Sequence, residues 1–133
     1  MASSAHTEKS LARLAQKILK VTGIQNATLD IFLLPHDEMV EIKWRLMKKK
    51  TEPNVLSFLE SETFPHPETK KKYLGEVLLN RDILKRSPER ATPLLIHGIV
   101  HLLGYDHEKK NDKGKMARAE EKILIKLEAI PKN

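Results

Sequence analysis

Leu94-Leu95-Ile96-His97-Gly98-Ile99-Val100-His101-Leu102-Leu103-Gly104-Tyr105-Asp106-His107 is the stretch from which the rest of the chain can be read. From Leu94 to Leu103 it is apolar almost all round except for its histidines, the composition of a helix buried at the centre of a domain. His97 and His101 are four residues apart, so on a helix they stand one above the other on the same face. Gly104 sits where that helix should stop, because glycine enters the left-handed conformation without a Cβ penalty. Beyond the turn, His107 can swing back towards the first two. Burying three imidazoles costs solvation unless each finds a partner, and one divalent ion satisfies all three.

The chain of 133 residues contains no cysteine. Disulfides, thiolate nucleophiles and cysteine-ligated metal are therefore excluded, and a transition metal would have to be held by histidine or carboxylate. Zinc is the first choice for neutral imidazoles, with nickel, copper and iron compatible by ligand type. Three protein ligands leave a fourth position for water or substrate, the arrangement of a catalytic rather than a structural site. The pattern also resembles the H-E-x-x-H-x-x-G-x-x-H motif of metal proteases, but Gly98 stands where their general-base glutamate belongs. Asp106, beside the third histidine, reads either as a group that orients an imidazole or handles protons, or as a turn residue bonding its own backbone.

Working outward, apolar residues at Leu11, Leu14, Ala15, Ile18 and Leu19 predict an amphipathic helix over residues 7–22, closed by Gly23. Ala27 to Leu34 reads as a strand. A second helix is expected from Pro35-His36-Asp37 to about Met47, with Asp37 as N-cap and Met39, Val40, Trp44 and Met47 turned inward. Asn54 to Leu59 and Tyr73 to Asn80 read as strands, Gly75 marking a bulge or a close backbone approach. Between them, Glu60 to Lys72 reads as a surface loop. A helical turn is expected at Asp82 to Arg86, then a helix capped by Ser87 with Pro88 at its first position, and Pro93 within that opening turn or at a restart. The last helix, about Asp112 to Glu128, turns Met116, Ala119, Ile123 and Leu127 inward. These elements predict a single α+β domain over residues 1–133: a small mixed sheet of about four strands, packed with about five helices, around a central metal-bearing helix.

The 24 Lys and Arg against 18 Asp and Glu give a net charge of +6. This balance suits a polyanionic partner, and it equally suits a solvated surface. The lysines are clustered at 48–50, at 70–72, and at 109, 110, 113 and 115, the last group directly after the histidines. Aromatic residues are sparse, which argues against a base-stacking platform and for contact through phosphates. No apolar run approaches the roughly 18 residues of a membrane span, and the first residues lack the basic start and apolar run of a secretory signal, so a cytoplasmic location without membrane contact is expected.

His97 to His107 resembles the signature H-G-x-x-H-L-x-G-Y-D-H of the YbeY family of bacterial metal-dependent endoribonucleases, with every fixed position present. Asn54-Val55-Leu56-Ser57-Phe58 is similar to the family's T-N/D-V-L-S-F strand, Leu74-Gly75-Glu76-Val77 to its L-G-D-I strand, and Met116, Glu120 and Glu121 to the methionine and glutamates of its last helix. The resemblance covers roughly residues 30–130. It implies an α+β fold with a small mixed sheet, a zinc-type ion on His97, His101 and His107, and action on ribosomal RNA: maturation of the 3′ end of the small-subunit RNA and quality control of ribosomes. The ribosome or its small subunit is the implied partner. Arg45 would correspond to the family's arginine before the V-L-S-F strand, where a guanidinium can clamp a phosphate or stabilise transition-state charge; read by itself, it equally serves a solvated helix end. The chain departs from the pattern in four places. Arg45 lies about two residues farther from Asn54, Pro53 replaces threonine, Glu76 replaces aspartate, and Pro93 stands where many members carry histidine. Two other classes of function fit the residues: a ribosome-binding or RNA-binding assembly factor with a structural metal, and a metallohydrolase acting on another substrate class. The nucleophile, water or the RNA 2′-hydroxyl, is left open.

Overall fold

The computed structural model describes residues 6–24, 26–48, 53–59, 72–104 and 110–130, with side chains of the last segment described from residue 114 onward. Helix α1 (Glu8–Val21) is followed by strand β1 (Ala27–Leu34), helix α2 (His36–Met47), strands β2 (Val55–Leu59) and β3 (Lys72–Asn80), and the short helix α3 (Arg81–Arg86). A 3-10 turn at Pro88–Arg90 then leads into helix α4 (Ala91–Leu102), and helix α5 (Lys110–Glu128) ends the order. This is the expected α+β architecture. No helix among the described residues is long and apolar enough to cross a membrane.

The described sheet has three strands rather than about four, in the order β1-β3-β2; every other described segment long enough to be a strand is helical. It is mixed, as expected, with β1 parallel to β3 and β2 antiparallel to it. Opposite the step from Thr28 to Asp30, β3 advances from Tyr73 to Glu76, one residue more. The extra residue is taken up at Gly75, whose φ of 138° only glycine adopts freely. The bulge read from the sequence is therefore present, and it sets which way the rest of β3 faces. Beyond it Val77 and Leu79 point to one side and Leu78 to the other.

The first side is the main core. Leu11, Ala15, Ile18 and Leu19 of α1, Leu95, Ile96, Ile99 and Val100 of α4, and Met116 and Ile123 of α5 meet there over Leu29, Ile31, Val77 and Leu79. α1 begins with a capping box between Thr7 and Ser10 and ends on Gly23, where Ile24 N–H reaches Leu19 O and Gly23 N–H reaches Lys20 O. This paired closure satisfies two otherwise orphaned carbonyls and needs glycine's positive φ of 81°. Glu8 at the start of α1 accepts a 2.8 Å bond from Leu33 N–H on β1.

The second side is covered by α2, through Met39 with partly buried Ile42, against Leu56 and Leu78. Met39 is turned inward as expected, but Trp44 and Met47 are 45% and 41% exposed. Trp44 lies about 140° round the helix from Met39, too far to share a stripe that only one narrow contact defines. Lys48 instead stands over its ring at 5.8 Å. Two expected caps also differ. α2 starts two residues earlier than an Asp37 cap would require, and its N-cap, Pro35, offers no side-chain acceptor; His36 N–H is met by the Asp82 carboxylate at 2.9 Å. Ser87 makes no side-chain cap, because the 3-10 turn runs straight into α4. Pro93 is the third residue of α4, where its missing N–H costs nothing.

The two sides are tied together by Asn80, the one buried polar side chain among the described residues. Its amide nitrogen bonds His36 Nδ1 at 2.9 Å and donates to Pro53 O at 3.0 Å; its oxygen accepts from Asp82 N–H and Ile83 N–H. Its backbone N–H donates to Asn54 O. One side chain thus joins the start of α2, the approach to β2, the end of β3 and the start of α3.

Three outcomes are expected from this arrangement. Asn80→Ala removes the bonds that Asn80 makes to two backbone N–H groups, a carbonyl and the His36 ring, and should cost roughly 3 kcal/mol in a urea titration. Asp82 has its carboxyl below the ordinary value of 3.8, first through the His36 N–H and then through Arg81 and Lys85. A depressed folded pKa means stabilisation that is present above the ordinary carboxylate range and lost as pH falls through the folded value. Melting temperatures of wild type and Asp82→Asn should therefore separate above about pH 4 and converge in stronger acid. A third outcome concerns Gly98 of α4, where an added Cβ would lie 2.9 Å from Val77 Cγ1, 3.0 Å from Ser57 Oγ and 3.2 Å from Val55 Cγ2. Val77 is fully buried and cannot swing away. Gly98→Ala should gain about 1 kcal/mol of helix propensity and lose more to overpacking, for a net destabilisation of about 1–2 kcal/mol, read in the same titration.

Candidate metal centre

α4 is laid on β2 and β3 by the close approach at Gly98, and Ser57 Oγ donates to Gly98 O at 2.9 Å. The serine of the V-L-S-F stretch therefore holds the helix on the strand next to the histidines. With Ile96, Ile99 and Val100 committed to the core, His97 and His101 fall together on the remaining face. Their ring centroids are 6.2 Å apart and their planes meet at 81°. At a zinc–nitrogen distance of 2.0–2.1 Å each ring centroid lies roughly 3 Å from the ion, and a tetrahedral ion shared by both rings sets the centroids about 5 Å apart, so the two rings must close by about 1 Å through side-chain rotation to hold one ion. The helix ends as expected: Gly104 has φ 107°, and its N–H returns to His101 O at 3.1 Å.

His97 is held from the neighbouring helix. Its Nδ1 lies 2.7 Å from Glu120 Oε1 of α5, with the two side chains 35% and 29% exposed. Met116, one turn earlier on α5, is buried in the core and seats that helix against α4. Because Glu120 takes Nδ1, Nε2 is the nitrogen of His97 that would face an ion. The donor set thus fits a divalent metal. Among the described residues no group of three histidine, cysteine or carboxylate side chains is arranged to hold one; the third expected ligand, His107, and its neighbour Asp106 lie outside the described residues, as do Lys49, Lys50, Lys70, Lys71 and Lys109 and the side chains of Lys110 and Lys113.

The structure brings His97 and His101 together and does not bring Arg45 to them. Arg45 lies on α2, which covers the face of the sheet opposite to α4. Its guanidinium is 71% exposed and ion-paired with Glu41, one turn back. The sequence pointed to Glu120 only through its likeness to the family's last helix. No local pattern announces a hydrogen bond between residues 23 positions apart.

The family model described as endoribonuclease YbeY matches residues 2–128. The protein named endoribonuclease YbeY from Aquifex aeolicus is 34% identical over 122 residues, covering 85% of this chain and 79% of its own. The one so named from a Sulfurihydrogenibium species is 35% identical over 132 residues, covering 91% and 84%. Among solved structures, the solution structure of TM1509 from Thermotoga maritima shares the fold, with a TM-score of 0.51 over 95% of this chain and 89% of that one, at 20% identity. A family match that takes in the histidine helix, both flanking strands and α5 leaves one assignment: this chain belongs to the endoribonuclease YbeY family.

Proposed function

We propose that this chain is a metal-dependent endoribonuclease that cuts single-stranded segments of ribosomal RNA, in maturation of the small-subunit 3′ end and in ribosome quality control, within the cytoplasm. The observation that carries the reading is the His97–His101 pair on one face of a buried helix, in a chain of a family described as an endoribonuclease. His97, His101 and His107 are the ligands in this reading, and zinc is the preferred ion because three imidazoles with no thiolate suit it. A bound divalent ion supplies Lewis acidity towards a phosphate oxygen and lowers the pKa of its water.

The chain's own residues would contribute position and charge. His97 and His101 hold the reacting centre on a helix that Ser57 and the Gly98 contact fix to the sheet, and rigid support of this kind keeps reacting groups in alignment. The net charge of +6 favours a phosphate-bearing substrate. Arg45 is a phosphate-binding group in this reading. Its pairing with Glu41 is exposed on both sides, and exposed pairs are worth so little that an RNA phosphate can replace the carboxylate. From α2, on the other face of the sheet, it would grip RNA at a distance from the cut.

His101→Ala should remain folded by circular dichroism, still bind single-stranded RNA, and cut it at least 100-fold more slowly, on the order expected when a metal ligand is lost. Equal cutting by wild type, variant and chelated protein would mark a contaminating ribonuclease and remove the basis for the proposal. Cleavage that survives in a variant shown to be metal-free would leave the metal a structural role. The product ends, read by mass, separate attack by water from attack by the RNA 2′-hydroxyl, since only the second leaves a cyclic phosphate.

A further inference from the structure

We infer that Glu120 is a positioning residue for the centre: its carboxylate fixes His97 as the tautomer protonated on Nδ1 and turns Nε2, with its lone pair, towards the ion. The inference rests on the proposed metal centre for its functional meaning. Its structural half stands on the contact alone.

A carboxylate ionised at neutral pH only accepts hydrogen bonds. At 2.7 Å from Glu120 Oε1, His97 Nδ1 must therefore carry a proton, and in the neutral imidazole Nε2 is then the acceptor or ligand atom. Without such a partner an imidazole in water favours the other tautomer, with the proton on the nitrogen that the ion requires. Each binding event would then begin by moving that proton. A carboxylate on the far nitrogen removes this step, orients the ring and makes the ligand nitrogen more basic, and losing such a partner commonly weakens metal binding by about 10- to 100-fold.

The placement of Glu120 supports a fixed partner rather than a passing one. Met116 lies four residues before it and Ile123 three after it, and both are buried at 2% and 6% exposure. Their anchoring denies α5 the freedom to rotate about its axis, and Glu120 is held at the angle where it meets His97. Neighbouring Glu121 is exposed, so the two adjacent glutamates are distinguished by the helix face each occupies. Ring orientation along α4 is also limited from within, because His101 stands edge-on to His97 at 81°. The proposed centre thus depends on how α5 packs, although α5 need donate no ligand of its own.

The test uses the full chain with histidine nitrogens labelled with nitrogen-15, stripped of metal by chelator and held at pH 8. Two-bond nitrogen–proton spectra report which ring nitrogen carries the proton. His97, assigned by its loss in His97→Gln, should show Nδ1–H in wild type and in Glu120→Gln, whose amide oxygen still accepts. Glu120→Ala should shift it towards Nε2–H. Zinc affinity, measured by competition with a chromophoric chelator, should fall about 10- to 100-fold in Glu120→Ala and less in Glu120→Gln, while Glu121→Ala binds as wild type does. An Nε2–H signal for His97 in the wild-type chain overturns the inference, and so does wild-type zinc affinity in a folded Glu120→Ala. If Glu120→Ala does not fold, the wild-type spectrum and Glu120→Gln still decide the question. A wild-type chain that shows the Nδ1–H signal and binds no divalent metal would overturn the metal centre and leave the Glu120–His97 pair as a structural contact only.

Discussion

The buried amide of Asn80 is the constraint on which the arrangement of this molecule depends. A polar side chain with no solvent contact is tolerable only when its donors and acceptor are all used, and here they are used on three other segments at once. The consequence runs outward from the end of β3. α2 cannot slide along the sheet without losing the His36 contact, and β2 cannot shift register without moving Pro53. α3 cannot unwind without releasing Asp82 and Ile83. Since β2 carries Ser57 and β3 carries Val77, the same lock settles the surface on which Gly98, and with it His97 and His101, comes to rest.

Much of this was legible in the sequence where a pattern repeats over a turn or a strand. The stripe of Leu11, Leu14, Ala15, Ile18 and Leu19 could be read because three turns of one helix point the same way. Gly23, Gly75 and Gly104 could be read because the backbone at each adopts a positive φ that other residues resist. α2 is where pattern failed. Its buried stripe is only Met39 and Ile42, and a single large aromatic, Trp44, outweighed that short signal although it lies on another face. The helix starts misled for a related reason. A cap is sought among nearby side chains, whereas α2 takes its acceptor from Asp82, 46 positions away.

The candidate centre divides in the same way. His97, His101 and the terminating Gly104 follow from spacing, because the helix converts a separation of four residues into proximity. Glu120 does not, since its meeting with His97 is a product of how α5 lies across α4. Gly98 was read as the absence of a protease's glutamate; the structure adds a steric reason for glycine at that position, the side chains of Val77, Ser57 and Val55 pressing on it. Arg45 illustrates the limit of transferring a residue along the chain: the motif brings it close to Asn54 in sequence, and the sheet separates it from the histidine face.

The strand order has a consequence for the way this chain comes into being. β3 is the middle strand, and both β1 and β2 bond to it and not to each other. Yet β3 is the last of the three to leave a ribosome, and Ala27 must wait for Lys72, its partner in the parallel ladder. Until then neither earlier strand has a mate, and α2 has no Leu78 to cover. Sheet assembly is therefore a single late event with a long loop to close. α1, with its own caps at both ends, is equipped to form beforehand, and its Glu8 is then in place to meet the first strand's edge when the sheet closes.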